Sequence, residues 1–163
     1  MPPRFQVSLT GLFIAILLPA CGRQADQLGT QITPVQNQDR IQAGRFLYEV
    51  SCASCHQPDG EGMPGVGPPL INSEWVQGSE QQLIAIVLQG VRGPIRVQDQ
   101  EYNLEMPAMG FFEDDQLAAI LTYIRNAWGN QGSEIPADKI SSFRKETLTR
   151  RDSWTVSELM SLP

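Results

Sequence analysis

The chain has 163 residues, with 12 basic and 18 acidic side chains, a formal net charge of −6, three cysteines and a single histidine. This length predicts one domain of about 100 to 150 residues and excludes a large multidomain machine. An acidic chain is poorly suited to binding nucleic acid, because the affinity of proteins for nucleic acid comes mostly from Lys and Arg, so no nucleic-acid partner is expected. One histidine excludes metal sites that need two imidazoles, so a two-histidine zinc hydrolase is not expected either.

The first 20 residues have the pattern of an export signal. One cation, Arg4, precedes an apolar run over residues 9–18 (LTGLFIAILL), and the small residue Ala20 follows. The run is about half the ~20 residues needed to cross a bilayer, which favours a signal peptide over a transmembrane helix. A short buried helix is the alternative interpretation, but the polar stretch that follows has no amphipathic pattern. The sequence therefore predicts an exported protein.

The segment Leu18-Pro19-Ala20-Cys21 resembles the lipobox of bacterial lipoproteins, in which the cysteine becomes the lipidated first residue of the mature chain. The resemblance implies a lipidated Cys21 and a protein anchored to the membrane on the periplasmic side, because several acyl chains together give stable anchoring. Residues 21–38 are rich in Gln, short of large apolar residues and without periodicity. They are typical of a flexible linker.

A first helix of about 12 residues is predicted from Arg40 to Cys52. Asn37 or Asp39 is a suitable N-cap for it. Its pattern-forming residues recur at helical spacing, and they are Ile41, Gly44, Phe46, Leu47, Tyr48 and Val50.

This helix leads into Cys52-Ala53-Ser54-Cys55-His56, which has the spacing of a c-type haem attachment site. Two thiols three residues apart can bond to the two vinyl groups of one haem while the adjacent imidazole ligates its iron. A thioredoxin-like pair would follow a strand and begin a helix, whereas a helical pattern precedes this motif. Structural zinc needs four ligands, but the chain has no second Cys pair and no second His, and a plain disulfide would leave the histidine unexplained. We predict one covalent haem c on Cys52 and Cys55, with His56 as an iron ligand.

Haem iron that transfers electrons takes a sixth ligand, and methionine is the residue type left to supply it. The candidates are Met63, Met106, Met109 and Met160. Pro107 fixes its own φ and favours an extended backbone at Met106, so the Met106 thioether projects from a non-helical loop that can lie against a haem face. Met109, three residues further on, is the alternative candidate for the sixth ligand.

Between the two ligand motifs, a short apolar helix is expected to end at Gly90. With Leu70 and Trp75 it would form an apolar wall, and its residues are Leu83, Ile84, Val87 and Leu88. The haem propionates need cationic or polar partners, or water. Arg92 and Arg96 are the only cations of this stretch of sequence, and Arg96 is the first choice; the neutral donors are Trp75, Tyr102 and Asn103.

A later helix is predicted to begin at Asp114 or Asp115, since an acidic first turn suits the helix dipole. Gly129 is expected to end it. The residues that recur at helical spacing are Leu117, Ile120, Leu121, Ile124 and Trp128.

Residues 130–163 form a C-terminal extension with two predicted helices. Pro136 begins the first, which carries Ile140, Phe143 and Leu148. The second begins at a capping box of Thr155 and Glu158, with Trp154 and Leu159 in the positions of a hydrophobic staple. Either Trp154 docks the extension on the preceding domain, or the extension is an arm that binds a partner.

Residues 40–129 resemble the class I c-type cytochromes, specifically the small bacterial single-haem carriers. Besides the haem motif, Gly67-Pro68-Pro69-Leu70 looks like the Gly-Pro-x-Leu segment of the family, and Met106-Pro107-Ala108-Met109-Gly110 resembles its distal Met-Pro segment. The resemblance implies that Met106 is the sixth ligand and that the Pro68 carbonyl accepts a hydrogen bond from the proximal imidazole. It also implies that Gly44 and Tyr48 pack against partners on the last family helix, which match Ile120 and Tyr123.

The implied fold is all-α, with a few short helices wrapped around one covalently attached haem in a cytochrome c domain over residues 39–129. The implied function is single-electron transfer between a dehydrogenase or reductase and a downstream acceptor, without catalysis. Alternatives are an electron-port subunit of an oxidoreductase complex, a haem peroxidase, and a redox or gas sensor. A peroxidase would need an open or displaceable sixth ligand.

The negative charge is concentrated in this predicted domain. Residues 39–129 carry 12 acidic and 5 basic side chains, a net charge of −7, while residues 21–38 and 130–163 are each balanced. We therefore expect redox partners with a basic docking patch and association that weakens as salt is added.

Overall fold

The computed structural model describes residues 34–162, with side chains from residue 37 onward. The predicted signal, the predicted lipidation site Cys21 and residues 22–33 of the predicted linker lie outside this range. The described part contains the helices α1 Pro34–Ser51, α2 Ala53–His56, α3 Glu74–Gln77, α4 Glu80–Gln89, α5 Asp114–Asn126, α6 Ala137–Glu146 and α7 Val156–Leu159, and one antiparallel hairpin of β1 Ile95–Val97 and β2 Gln100–Tyr102.

Helix α1 is longer than the sequence pattern predicts. It begins at Pro34, so the last five residues of the predicted linker are helical. Proline suits the first helical position because its φ is already close to the helical value. The Asn37 amide and the Arg40 guanidinium both donate to the Glu134 carboxylate, with 3.4 Å between Arg40 Nη1 and Glu134 Oε2. These contacts hold the first turns of α1 against the start of the C-terminal extension.

Helices α1 and α5 pack together at Gly44, as the family resemblance implies. A Cβ atom on Gly44 would lie 2.1 Å from the Ala119 carbonyl oxygen, so the two backbones approach as closely as glycine permits. One turn further on, the ring centroids of Tyr48 and Tyr123 are 5.6 Å apart. The predicted contact between the first and last helices of the domain is confirmed, and it fixes the direction in which α1 reaches the cysteine motif.

Helix α5 ends earlier than predicted, at Asn126. Trp128 lies outside it with a left-handed backbone (φ 55°). Its ring packs against Tyr48 and Tyr123, with centroids 5.2 and 5.5 Å away, and its Nε1–H donates to the Pro58 carbonyl. An α5 that continued through residue 128 would carry this ring elsewhere, so the aromatic contacts and the hydrogen bond explain why the helical pattern overruns the helix.

Three short elements of the described chain were not predicted from the sequence: the hairpin and the four-residue helices α2 and α3. Ile95 is opposite Tyr102, Arg96 opposite Glu101 and Val97 opposite Gln100. The alternation of apolar Ile95 and Val97 around Arg96 is a period-2 signal, but each strand has three residues, which is too short for the pattern to stand out. The remaining elements are helical, as the predicted all-α fold requires.

The C-terminal extension folds back on the domain. The predicted capping box is confirmed, since the Thr155 hydroxyl accepts from the Glu158 amide and the Glu158 carboxylate accepts from the Thr155 amide. Trp154 and Leu159 are buried, whereas Leu148 lies beyond α6 and is 70% exposed. Burial of Trp154 supports the interpretation that this residue docks the extension.

Within residues 34–162, no helix combines the length and apolar character that crossing a membrane requires.

Candidate functional site

A mostly apolar cavity of about 220 Å³ lies among α1, α2, α4, α5 and the hairpin. The cavity is lined by the two cysteines and the histidine of the motif and by two candidate methionines, which are Cys52, Cys55, His56, Met106 and Met109. Its apolar wall includes Leu83, Val87, Ile95, Val97, Ile120 and Ile124. The chain therefore gathers thiols, an imidazole and thioethers around one mostly apolar cavity.

The break between α1 and α2 presents the two thiols. The backbone turns at Cys52, and the amides of Cys55 and His56 both donate to the Cys52 carbonyl. Cys52 and Cys55 are thus one helical turn apart, and they are not joined in a disulfide. Cys52 is partly buried, and this burial raises the pKa of its thiol to about 11, with the nearby Cys55 as the smaller cause. A flat ligand with two attachment points is matched by two thiols at this spacing.

The imidazole of His56 is oriented by a backbone carbonyl. His56 Nδ1–H donates to the Pro68 carbonyl over 2.8 Å, which leaves the lone pair of Nε2 for a metal. Desolvation lowers the pKa of His56, and the Pro68 hydrogen bond opposes that shift in part, so the ring is held neutral as a ligand must be. The predicted role of Pro68 as the hydrogen-bond acceptor is reproduced in this geometry.

Gly67 allows the Pro68 carbonyl to reach the histidine. A Cβ atom at residue 67 would lie 2.5 Å from the Cys55 carbonyl oxygen, so the 66–70 loop lies directly against the cysteine motif. A larger residue would push the loop away and lengthen the hydrogen bond from His56 to Pro68. The sequence Gly67-Pro68 thus combines close approach with a rigid acceptor.

The loop that carries Met106 is paired with the chain after α4. Met106 N–H donates to the Val91 carbonyl over 2.9 Å, and Val91 N–H donates to the Met106 carbonyl over 3.2 Å. Met109 also lines the cavity, with its N–H bonded to the Val87 carbonyl. Met63 and Met160 are exposed and lie outside the cavity lining. Met106 and Met109 therefore remain the two thioethers that the cavity brings near His56.

The predicted propionate partners divide into two groups. Trp75 lines the cavity, and its Nε1–H donates to the Arg96 carbonyl over 2.9 Å. Arg96 and Asn103 lie outside the cavity lining as the structure describes it, and the Arg96 guanidinium donates to the Asp99 carbonyl instead. Strand geometry explains the difference, because successive side chains point to opposite faces: Ile95 and Val97 face the cavity and Arg96 between them faces water.

Residues at the end of β2 and after it also contribute to the cavity. Tyr102 and Leu104 line the cavity, whereas Asn103 between them lies outside its lining. Glu105 also lines it, a residue that the sequence analysis did not consider. Residues 103–105 lie beyond β2 in irregular structure, so no local sequence period identifies Leu104 or Glu105 as lining residues.

The donor set fits a covalently attached haem c. Two thiols one turn apart, a neutral imidazole fixed through Nδ1 and a thioether share one apolar cavity. These are the groups that attach and ligate such a haem.

Comparison with known proteins agrees with this fit. A family model described as "Cytochrome c" matches residues 41–128. Cytochrome c-552 of Thermus thermophilus is 36% identical over 108 residues, covering 64% of this chain and 77% of that protein. The gluconate 2-dehydrogenase cytochrome c subunit of Pantoea cypripedii is 34% identical over 115 residues, and the fructose dehydrogenase cytochrome subunit of Gluconobacter japonicus is 37% identical over 109 residues. The matches cover 66% and 62% of this chain, but only 25% and 22% of those two subunits.

Proposed function

The chain belongs to the cytochrome c family, and from this premise we propose which residues hold the haem and where the protein works. As a c-type cytochrome it carries covalently bound haem c and acts in electron transfer rather than catalysis. We propose that Cys52 and Cys55 attach the haem and that His56 and Met106 are its axial ligands. The haem, once bound, takes up and releases one electron. The observation that carries the proposal is the shared cavity of the cysteine motif and Met106.

The chain's own residues set the conditions of that electron exchange. The Pro68 carbonyl fixes the orientation of the His56 imidazole. The apolar lining keeps water from the iron and lowers the local dielectric constant. A methionine ligand raises the reduction potential of a His-ligated haem. Backbone pairing of Met106 with Val91 holds the thioether in place, which favours an electron carrier with two filled axial positions over a peroxidase or a gas sensor.

We propose that the protein carries single electrons between a dehydrogenase or reductase and a downstream acceptor such as a terminal oxidase or another cytochrome. An electron-port subunit of an oxidoreductase complex is the second candidate, and the similarity to two dehydrogenase cytochrome subunits favours it. In both cases the net charge of −7 on residues 39–129 supports a partner surface that is basic.

The purified protein tests this proposal directly. The reduced protein is expected to show a sharp α band in the visible spectrum, and the oxidised protein to bind added cyanide weakly. Its reduction by the cationic complex hexaammineruthenium(II) should slow several-fold as ionic strength rises from about 0.01 to about 0.15 M, because the Debye length shrinks from about 30 to about 8 Å. Reduction by anionic ferrocyanide is the matched control and should accelerate over the same range. Tight cyanide binding by the wild type would favour a peroxidase, and salt-independent rates would contradict docking that depends on the negative charge of residues 39–129.

We also propose that the protein is exported, that residues 1–20 are its signal peptide, and that lipidated Cys21 anchors it to the membrane through the 21–33 segment. The support is the segment Leu18-Pro19-Ala20-Cys21 and the apolar run before it. In a host that matures both lipoproteins and c-type cytochromes, wild-type protein should stay with the membranes after a high-salt wash. The Cys21→Ser variant should lose the acyl mass from its N-terminus and leave the membranes. A wild-type protein recovered in the soluble fraction, or a membrane-bound Cys21→Ser variant, would contradict the anchor.

A further inference from the structure

The C-terminal extension contacts the loop that carries the proposed methionine ligand. We call residues 105–112 the Met loop. The extension lies beyond residues 41–128, which the family model matches, so its role does not follow from family membership. Two separate parts of the extension meet the Met loop, one from α6 and one from the segment before α7.

Arg144 of α6 binds the C-terminal end of the Met loop. Its Nη1 donates to the Gly110 carbonyl over 2.7 Å, its Nη2 donates to the Phe112 carbonyl over 2.9 Å, and its Nε donates to the Asp114 carboxylate over 2.9 Å. A guanidinium group holds its donors in a rigid plane, so three simultaneous bonds fix the two carbonyls relative to the first turn of α5. Arg144 is partly buried, which reduces the screening of these bonds by water.

The segment before α7 supports the N-terminal end of the Met loop. Trp154 N–H donates to the Gly90 carbonyl over 2.9 Å and Arg92 N–H donates to the Trp154 carbonyl over 2.8 Å. The 90–92 segment therefore pairs with Trp154 as well as with Met106, since Val91 forms bridges to both. Ser153 Oγ–H also donates to the Glu105 carboxylate over 2.6 Å, directly before Met106.

The Trp154 side chain keeps this second contact in place. Its Nε1–H donates to Gln89 Oε1 over 2.8 Å, and the Arg150 guanidinium lies 3.7 Å from the ring centroid. Arg150 is in turn paired with Glu158 of the α7 capping box. The extension thus has its own rigid anchor on α4, from which Ser153 reaches the Met loop.

We propose that Arg144 is a positioning residue for the methionine ligand, and that with Ser153 it holds the Met loop in the geometry that keeps the Met106 thioether on the iron. The inference rests on the proposed assignment of Met106. An external ligand binds the iron when the Met loop moves away, and its apparent affinity rises in proportion to the fraction of protein with the loop displaced. The bonds from Arg144 exist in the closed arrangement, so their loss increases that fraction.

The test uses the full-length oxidised holoprotein and cyanide as the external ligand. The Arg144→Gln variant is expected to bind cyanide about tenfold more tightly than the wild type, as the loss of charge-assisted hydrogen bonds at a half-buried site implies. Its methionine–iron charge-transfer absorption should weaken at a lower alkaline pH than in the wild type. Lys139→Gln is the matched control, because Lys139 lies on the same helix and pairs with Glu80 of α4 without contacting the Met loop. Its cyanide affinity should stay within about twofold of the wild type.

Ser153→Ala is the second variant, because it removes only one hydroxyl group and should fold even if Arg144→Gln does not. It should raise the cyanide affinity several-fold. Unchanged cyanide affinity in Ser153→Ala and in any folded Arg144→Gln protein would overturn the inference. An equal increase in the cyanide affinity of Lys139→Gln would also overturn it, because it would indicate general loosening of the extension. A wild-type protein without methionine–iron absorption would instead overturn the assignment of Met106, and this inference with it.

Discussion

Replacing Met106 with leucine is expected to abolish the methionine–iron charge-transfer absorption of the oxidised protein and to lower its reduction potential by on the order of 100 mV, a fraction of the ~0.8 V range that axial ligands span. Leucine nearly matches methionine in volume and apolar character, so the fold should tolerate the change at a cost below about 1.5 kcal/mol. The effect then reports the lost thioether and not a collapsed loop. A potential measured by spectroelectrochemistry and a spectrum of the same sample check it.

Met109 provides the matched control for this experiment. It lies three residues after Met106 in the Met loop and lines the same cavity. Its backbone amide donates to the Val87 carbonyl. The Met109→Leu variant should retain the absorption and a potential within a few tens of millivolts of the wild type, a small part of the ~0.8 V ligand range. If the band survives in Met106→Leu and is lost in Met109→Leu, the ligand is Met109.

Replacing Gly44 with alanine is expected to lower the free energy of unfolding by about 3 kcal/mol, at the upper end of the range for overpacked sites. The added Cβ would lie 2.1 Å from the Ala119 carbonyl oxygen, 2.6 Å from the Ala119 carbonyl carbon and 2.9 Å from Tyr123 Cβ. Two of these neighbours are backbone atoms, so the helices must separate, which also loosens the contact between Tyr48 and Tyr123. The helix propensity gained by alanine, about 1 kcal/mol, offsets part of this cost.

Denaturant unfolding of the holoprotein, followed by circular dichroism, measures this change. Gln42→Ala is the control, because residue 42 is exposed on the same helix and the substitution should alter stability by less than about 0.5 kcal/mol. Equal stability of Gly44→Ala and Gln42→Ala would mean that α1 and α5 are not in close contact.

Local patterns predicted the parts of the site that local chemistry determines. The cysteine motif is five residues long, and its spacing alone identifies the haem attachment. The reach of His56 to Pro68 follows from the family motif at residues 67–70, and Gly44, Tyr48 and Tyr123 follow from the same resemblance. Each of these depends on residue types at fixed separations, which a sequence displays directly.

The differences from the sequence predictions lie where tertiary contacts decide the outcome. Arg96 was predicted as a propionate partner because it is one of two cations in its segment, and the unpredicted hairpin places its side chain outside the cavity lining. Trp128 continues the helical period of α5, yet its packing against Tyr48 ends the helix at Asn126. The contacts of Arg144 with the Met loop join positions about 30 residues apart along the chain. A periodicity argument carries no information about such a contact.

The pairing of the 90–92 segment with Trp154 has a consequence for incomplete chains. A product that stops after residue 150, through proteolysis or premature termination, retains all of residues 41–128 and every residue proposed to attach or ligate the haem. It nevertheless lacks Ser153 and Trp154, and with them the contacts that support the backbone bridge between Val91 and Met106. Such fragments would have the same red colour as the intact protein but would lack part of the support for the Met loop that carries the proposed iron ligand. Each preparation should therefore be checked for an intact C-terminus.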